Sequence, residues 1–160
     1  MAKKVKIKKT LVEQILTKVG IDHTGIQINA LEGELPPEYE RNQIFKTLAL
    51  LGDKTGPIIG IVPITEHLAE KKLAKVSGNK KVSMIPQKDL EKTTGYIHGA
   101  NNPVGIRQKH NYPIYIDQTA LNLDVMIVSA GEVGHSIIIH PRDLASFVKA
   151  DFADILEESK

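Results

Sequence analysis

The 160-residue chain contains no cysteine, which excludes a disulfide framework, a protein thiolate as nucleophile and a zinc site built on sulfur. Aromatic side chains make up 4% of the residues against 41% hydrophobic overall, so the core must be mostly aliphatic. No apolar run approaches the roughly 20 residues of a membrane span. The lysine-rich start leads into an amphipathic segment instead of a signal-peptide core, and a cytoplasmic protein is the default. Familiar catalytic signatures are missing too: there is no Walker glycine-lysine loop, no Gly-x-Gly-x-x-Gly, no Gly-x-Ser-x-Gly elbow and no His-Glu-x-x-His. The six histidines, His23, His67, His98, His110, His135 and His140, show no paired ligand spacing. They read as solvated or structural, and neither a metal nor a cofactor is expected. Without an elbow, Ser129 and Ser136 are donors of hydrogen bonds into a cleft rather than nucleophiles.

Acidity of the body is hidden by the formal charge of +2. Residues 1–9 hold five of the 21 basic residues and no acid, leaving 16 basic against 19 acidic residues and a net charge of −3 for the rest. Such a body is no general polyanion binder. If its partner is a nucleic acid, contacts should be local and not spread as a long phosphate footprint. The basic arm reads as a solvated tail adding at most weak attraction.

Hydrophobic patterning predicts one α+β domain of ordinary size. Thr10-Leu11-Val12-Glu13 is a capping box, followed by Leu11, Ile15 and Val19 on one helical face and Gly20 as a stop. Ile26–Asn29 alternates like a short strand, and the polar connection from Glu32 to Asn42 has room for a turn of helix. Ile44–Leu51 and Ile58–Val62 flank a glycine-rich turn and predict a hairpin. Leu68, Ala69, Leu73 and Val76 recur at helical intervals before Gly78. A strand over Lys81–Ile85, a short helix from Pro86 to about Thr93, and strands near Ile114–Ile116, Val125–Ser129 and Ser136–Ile139 follow. Pro141 suits a first helical position, so Arg142–Ile155 reads as helix, broken near Ala150.

Two features carry chemistry. Thr94 to Gly105 contains three glycines and a proline in twelve residues. Glycine permits positive φ and close approach to the backbone, while proline fixes its own φ and extends the residue before it. Such a loop can aim successive N–H groups into one concavity, suited to an anion or the developing oxyanion of a cleaved ester. It is equally a turn between two elements. The second feature is Lys46, inside the apolar run Ile44–Leu51. A lysine there either snorkels to water along an edge or lines a cleft and binds something anionic.

Phe45-Lys46-Thr47-Leu48, Lys80-Lys81-Val82, Thr94-Gly95-Tyr96, Gly99-x-x-x-Pro103-x-Gly105, Tyr115-Ile116-Asp117, Val128-Ser129-Ala130-Gly131 and Asp143-Leu144 occur in that order. The combination resembles the YbaK/EbsC family of aminoacyl-tRNA deacylases, from about Leu11 to Ile155. The resemblance implies a single YbaK/prolyl-tRNA synthetase associated domain over residues 10–160, after the arm 1–9, with a mixed, curved, barrel-like sheet flanked by helices. It implies trans-editing, the hydrolysis of the ester joining a wrong amino acid to the 3′ end of tRNA, with Cys-tRNA(Pro) the favoured substrate. The implied partners are the aminoacyl-tRNA 3′ end and prolyl-tRNA synthetase. Lys46 is the implied catalytic residue, acting on phosphate or ribose oxygens as a point charge. Phe45, Thr47, Gly99, Ala100, Asn101, Asn102, Pro103, Ser129, Gly131 and Ser136 are the implied substrate-binding residues, with oxyanion donors from the Gly99, Ala100 or Asn101 backbone.

In the family mechanism the thiol of the misplaced cysteine attacks its own ester carbonyl and leaves as a thiolactone, so a protein nucleophile is unnecessary. This chain departs from the family where it reads Gly99-Ala100-Asn101-Asn102-Pro103 in place of Gly-Gly-Ile-Ser-Pro, and Ser136 stands where some members carry aspartate. An early tyrosine of the family has no counterpart near Ile28. A deacylase for alanine or another small amino acid, motivated by Asn101 and Asn102, and a noncatalytic tRNA- or synthetase-binding module are the alternatives.

Overall fold

The computed structural model describes residues 9–28 and 35–158. The basic arm through Lys8, Asn29 at the end of the predicted first strand, and the start of the polar connection lie outside them.

The capping box forms as its residues require: Glu13 N–H donates to Thr10 Oγ1 at 3.3 Å and Thr10 N–H to the Glu13 carboxylate at 3.0 Å, opening helix α1, Leu11–Lys18. The buried face is not the predicted one. Val12 and Leu16 are inside, whereas Leu11 is 61% and Val19 53% exposed. Residues 12 and 16 have the same i, i+4 spacing as 11, 15 and 19, so periodicity cannot choose between the stripes, and docking onto the core does.

Strand β1 is His23–Ile26, earlier than the alternation suggested. A 3-10 turn at Arg41–Gln43 precedes β2, Phe45–Gly52, and β3, Gly56–Pro63. These two strands make the expected hairpin, with Lys46 opposite Val62 and Gly52 opposite Gly56. Its tip is clamped by Asn79, whose Oδ1 accepts from the N–H groups of Lys54 and Thr55 at 2.8 and 3.0 Å. Helix α2, Glu70–Ser77, ends on Gly78 at φ 78°, a left-handed cap that favours glycine. Strand β4, Val82–Met84, and helix α3, Gln87–Thr94, come next.

A helix absent from the sequence reading follows: α4, Pro103–Lys109, with Asn102 as N-cap and Pro103 in the first turn. Those residue types at those positions are a helix-start signal, masked in the sequence by the glycines around them. Strands β5, Ile114–Asp117, β6, Met126–Ser129, and β7, Ser136–Ile139, lie close to their predicted places. Helix α5, Pro141–Val148, is shorter than predicted, and the tail continues as β8, Asp151–Ala153. Lys149 adopts φ 57° and reverses the chain, so the residues beyond it pair with β5 in parallel instead of extending the helix.

The strands form two sheets, β1-β7-β6 and β4-β2-β3-β5-β8. A parallel bridge between Ile44 and Ile127 joins them without closing a barrel among the described residues. Phe45, Ala49, Ile59, Ile61 and Ile116 face α1, α4, α5 and the smaller sheet in the principal core; Leu50, Ile58, Val62 and Leu73 fill a second one. Burial on both faces explains the unbroken apolar run of β3. Asp117, 1% exposed, ties the C-terminal segment down by accepting from Thr119 N–H, Thr119 Oγ1 and Ile155 N–H at 3.0, 2.6 and 3.0 Å.

The functional geometry starts at the edge of β2. Strand β4 pairs only with Leu50–Gly52, so the first half of β2 has no strand on that side. Loop atoms take over: Thr47 O accepts from Asn101 Nδ2 at 2.9 Å and Ala49 O from Ile85 N–H at 3.1 Å.

Candidate functional site

Between this open edge, α3 and the glycine loop lies a cleft of about 400 Å³. Lys46, Thr47, His98, Gly99, Asn101 and Gln87 supply its polar lining; Leu48, Ile64, Met84, Ile85 and Leu90 supply apolar walls. Lys46, Leu48 and Met84 also border an open groove of about 870 Å³ that passes His67 and Lys71. The small cleft and the larger surface groove therefore share a border at the lysine.

Lys46 is half-buried, and among the described residues no carboxylate pairs with it. Partial removal from water pushes its ammonium below the ordinary lysine value of 10.5. An unpaired, partly desolvated cation on a rigid strand can act strongly on an anion that enters the cleft.

The loop opposite is built residue by residue. Gly99 has φ 88°, in the left-handed region where a side chain is strained. The carbonyl of Gly99 accepts from Ser129 Oγ at 3.3 Å, and that hydroxyl in turn accepts from Gly131 N–H at 3.2 Å. Ala100 N–H closes a turn onto Ile97 O at 3.0 Å, so it is spent and offers nothing to an oxyanion. Gly99 and Asn101 N–H groups have no acceptor among the described residues. Asn102 is fully buried: Oδ1 accepts from Gly105 N–H at 2.6 Å, and Nδ2 donates to Ala100 O at 3.0 Å. Its side chain caps α4 and stays out of the cleft. At Gly105 the Tyr96 hydroxyl occupies the place of a Cβ, so glycine is needed there for packing.

Of the residues singled out from sequence, Lys46, Thr47, Gly99 and Asn101 converge on one cleft. Phe45 points into the core, as alternation along β2 requires. Ala100 and Pro103 are buried in the turn and in the first turn of α4. Ser129 and Gly131 brace the loop from behind. Ser136 pairs with Ser129 across β6 and β7, and its hydroxyl lies 3.5 Å from Ile28 O. His98 belongs to the cleft, although the sequence reading takes it, with the other histidines, as solvated or structural; its only signal there is adjacency to Gly99.

Gly99→Val tests the loop. The added branch brings strain at φ 88° and contact with Val133 Cγ2, 3.4 Å from an ideal Cβ. Expected are a stability loss of about 1–2 kcal/mol in urea unfolding and a roughly tenfold or greater fall in activity per folded molecule. Full activity in the folded fraction would reduce the loop to a turn.

Comparison with known proteins supplies a context for this geometry. The profile of the aminoacyl-tRNA editing domain matches residues 35–147. A protein of Enterococcus faecalis, named as a candidate Cys-tRNA(Pro)/Cys-tRNA(Cys) deacylase, EbsC, is 45% identical over 116 residues, covering 72% of this chain and 70% of that protein. The crystal structure of a candidate trans-editing enzyme for prolyl tRNA synthetase superposes with a TM-score of 0.78 at 22% identity, over 92% of this chain and 95% of the other. That of a hypothetical protein gives 0.81 at 20% identity, over 91% and 99%. The last two likenesses establish the fold.

Proposed function

The chain belongs to the aminoacyl-tRNA editing domain family, and from that premise we propose that it is a cytoplasmic trans-editing deacylase whose favoured substrate is Cys-tRNA(Pro), with residues 10–160 as the editing domain. The observation that carries the reading is that one small cleft is lined by Lys46, without an ion-pair partner among the described residues, and by Gly99 and Asn101, whose N–H groups have no acceptor among them. Those groups suit an ester that develops negative charge as it is cleaved.

The acyl group enters the cleft, and the terminal nucleotide lies in the wider groove past His67 and Lys71. Lys46, at the boundary between them, holds phosphate or ribose oxygens. The cysteinyl sulfur attacks the ester carbonyl carbon, the bond from that carbon to the ribose oxygen breaks, and the thiol proton ends on the departing hydroxyl. The products are free tRNA and a thiolactone, which water then opens. Confinement raises the population of the reactive conformer, and the loop N–H groups stabilise the carbonyl oxygen. Ser129 and Gly131 act through the loop position. Prolyl-tRNA synthetase is the proposed source of tRNA selectivity, because the acidic body has little surface for a long tRNA footprint.

A panel of acyl-tRNAs, assayed with and without prolyl-tRNA synthetase, tests the proposal. Cys-tRNA(Pro) should be cleaved fastest. Faster release of alanine would favour the small-amino-acid reading, which rests on the polar Asn101 side chain, since Asn102 is occupied as a cap. Binding without turnover would leave a noncatalytic module.

A further inference from the structure

Two buried polar atoms of residues that line the cleft, Asn101 Oδ1 and Thr47 Oγ1, have no hydrogen-bond partner among the described residues. Asn101 as a whole is 8% exposed. Leaving such atoms unpaired costs free energy that a folded protein normally avoids. The amide cannot turn to relieve it, because Nδ2 is committed to Thr47 O at 2.9 Å, and a flip would set two carbonyl oxygens against each other. Oδ1 therefore remains an acceptor, and both residues line the same cleft.

The missing partner of Asn101 Oδ1 must donate, and the Thr47 hydroxyl can accept from the same group. Within an aminoacyl ester the α-amino group is the strong donor, with up to three N–H bonds, while a cysteine thiol donates weakly. That amino group is attached one carbon from the ester carbonyl. Asn101, a residue of the cleft lining, carries both an N–H without an acceptor among the described residues, suited to the carbonyl oxygen, and the unpartnered Oδ1, so a single residue can engage both groups. Among the described residues no carboxylate lines the cleft, so a cationic group there is met by neutral acceptors such as these oxygens, while Lys46 repels a second cation from its own end.

Resting on the placement of the acyl group in this cleft, we propose that Asn101 Oδ1 and Thr47 Oγ1 form a receptor for the α-amino group of the aminoacyl ester. The site then selects aminoacyl over des-amino acyl esters, independently of the side chain. Selection by hydrogen bonding to buried, otherwise unpaired groups is sharper than selection by shape.

The test is calorimetric binding of two non-hydrolysable adenosine 3′-amides, one cysteinyl and one 3-mercaptopropionyl, which differ only in the α-amino group. The wild-type protein should bind the cysteinyl amide roughly 10- to 30-fold more tightly. Asn101→Ala should bring the two within about twofold of each other, by weakening the cysteinyl amide alone. Thr47→Val, nearly isosteric and leaving the Asn101–Thr47 O bond in place, should narrow the gap even if Asn101→Ala fails to fold. Equal wild-type affinities, no binding of either amide, or a uniform loss in both variants would overturn the receptor. Wild-type protein that shows the gap but leaves Cys-tRNA(Pro) intact would sink the deacylase reading and spare this one.

Discussion

Replacing Lys46 by alanine is expected to lower kcat/KM for Cys-tRNA(Pro) about 100- to 1,000-fold, the loss typical of removing one preorganised charge-stabilising donor, without lowering the melting temperature. The two halves of that expectation have one cause. Lys46 is half-buried without an ion-pair partner among the described residues, so the fold carries its charge at a cost and gains nothing by it. Lys46→Arg should also be poor, because a planar fork does not replace a compact ammonium at the mouth of a confined cleft. Parental deacylation by Lys46→Ala would remove the lysine from the mechanism.

Burial also gives the lysine a pH signature. Its folded-state value lies below the ordinary 10.5 because desolvation disfavours the charged form. Between that lowered value and 10.5 the unfolded chain binds more protons, so this residue's contribution to stability rises with pH across that window. Activity runs the other way, since the ammonium is the useful form and is lost as pH rises through the lowered value. Lys46→Ala should abolish both trends, which pH-resolved melting and single-turnover rates can follow together.

The second large effect is chemical. Cys-tRNA should be cleaved at least about 100-fold faster than Ser-tRNA carrying the same tRNA, because the thiol is much the better nucleophile near neutral pH, although the two side chains differ little in shape. Among the described residues no cysteine or serine lines the cleft, and Thr47 is the only hydroxyl-bearing residue in its lining. Mass spectrometry of early products should find the thiolactone. Free cysteine alone, with serine released at a comparable rate, would mean direct attack by water; Lys46 and the Gly99–Pro103 loop would then be holding that water as well as the acyl group.

The chain alone carried the signals that are local. Thr10 and Glu13 can cap only a helix that begins at Leu11. Gly78 stops a helix, and two apolar runs of strand length on either side of the glycine-rich turn at Gly52–Gly56 predict a hairpin. Lys46 and Gly99 could be singled out because a cation in an apolar run and clustered glycines are costly wherever they sit. Which of two equally spaced stripes of α1 faces inward, and that the tail beyond Lys149 becomes a strand, depended on what those segments meet. Asn102 and Asn101 are neighbours of one residue type, yet one is spent on a helix cap and the other lines the cleft with its amide oxygen left without a partner among the described residues. Only the tertiary structure could separate them: the start of α4 and the loop before it use both polar atoms of the first side chain, while the bare edge of β2 takes just one amide hydrogen from the second.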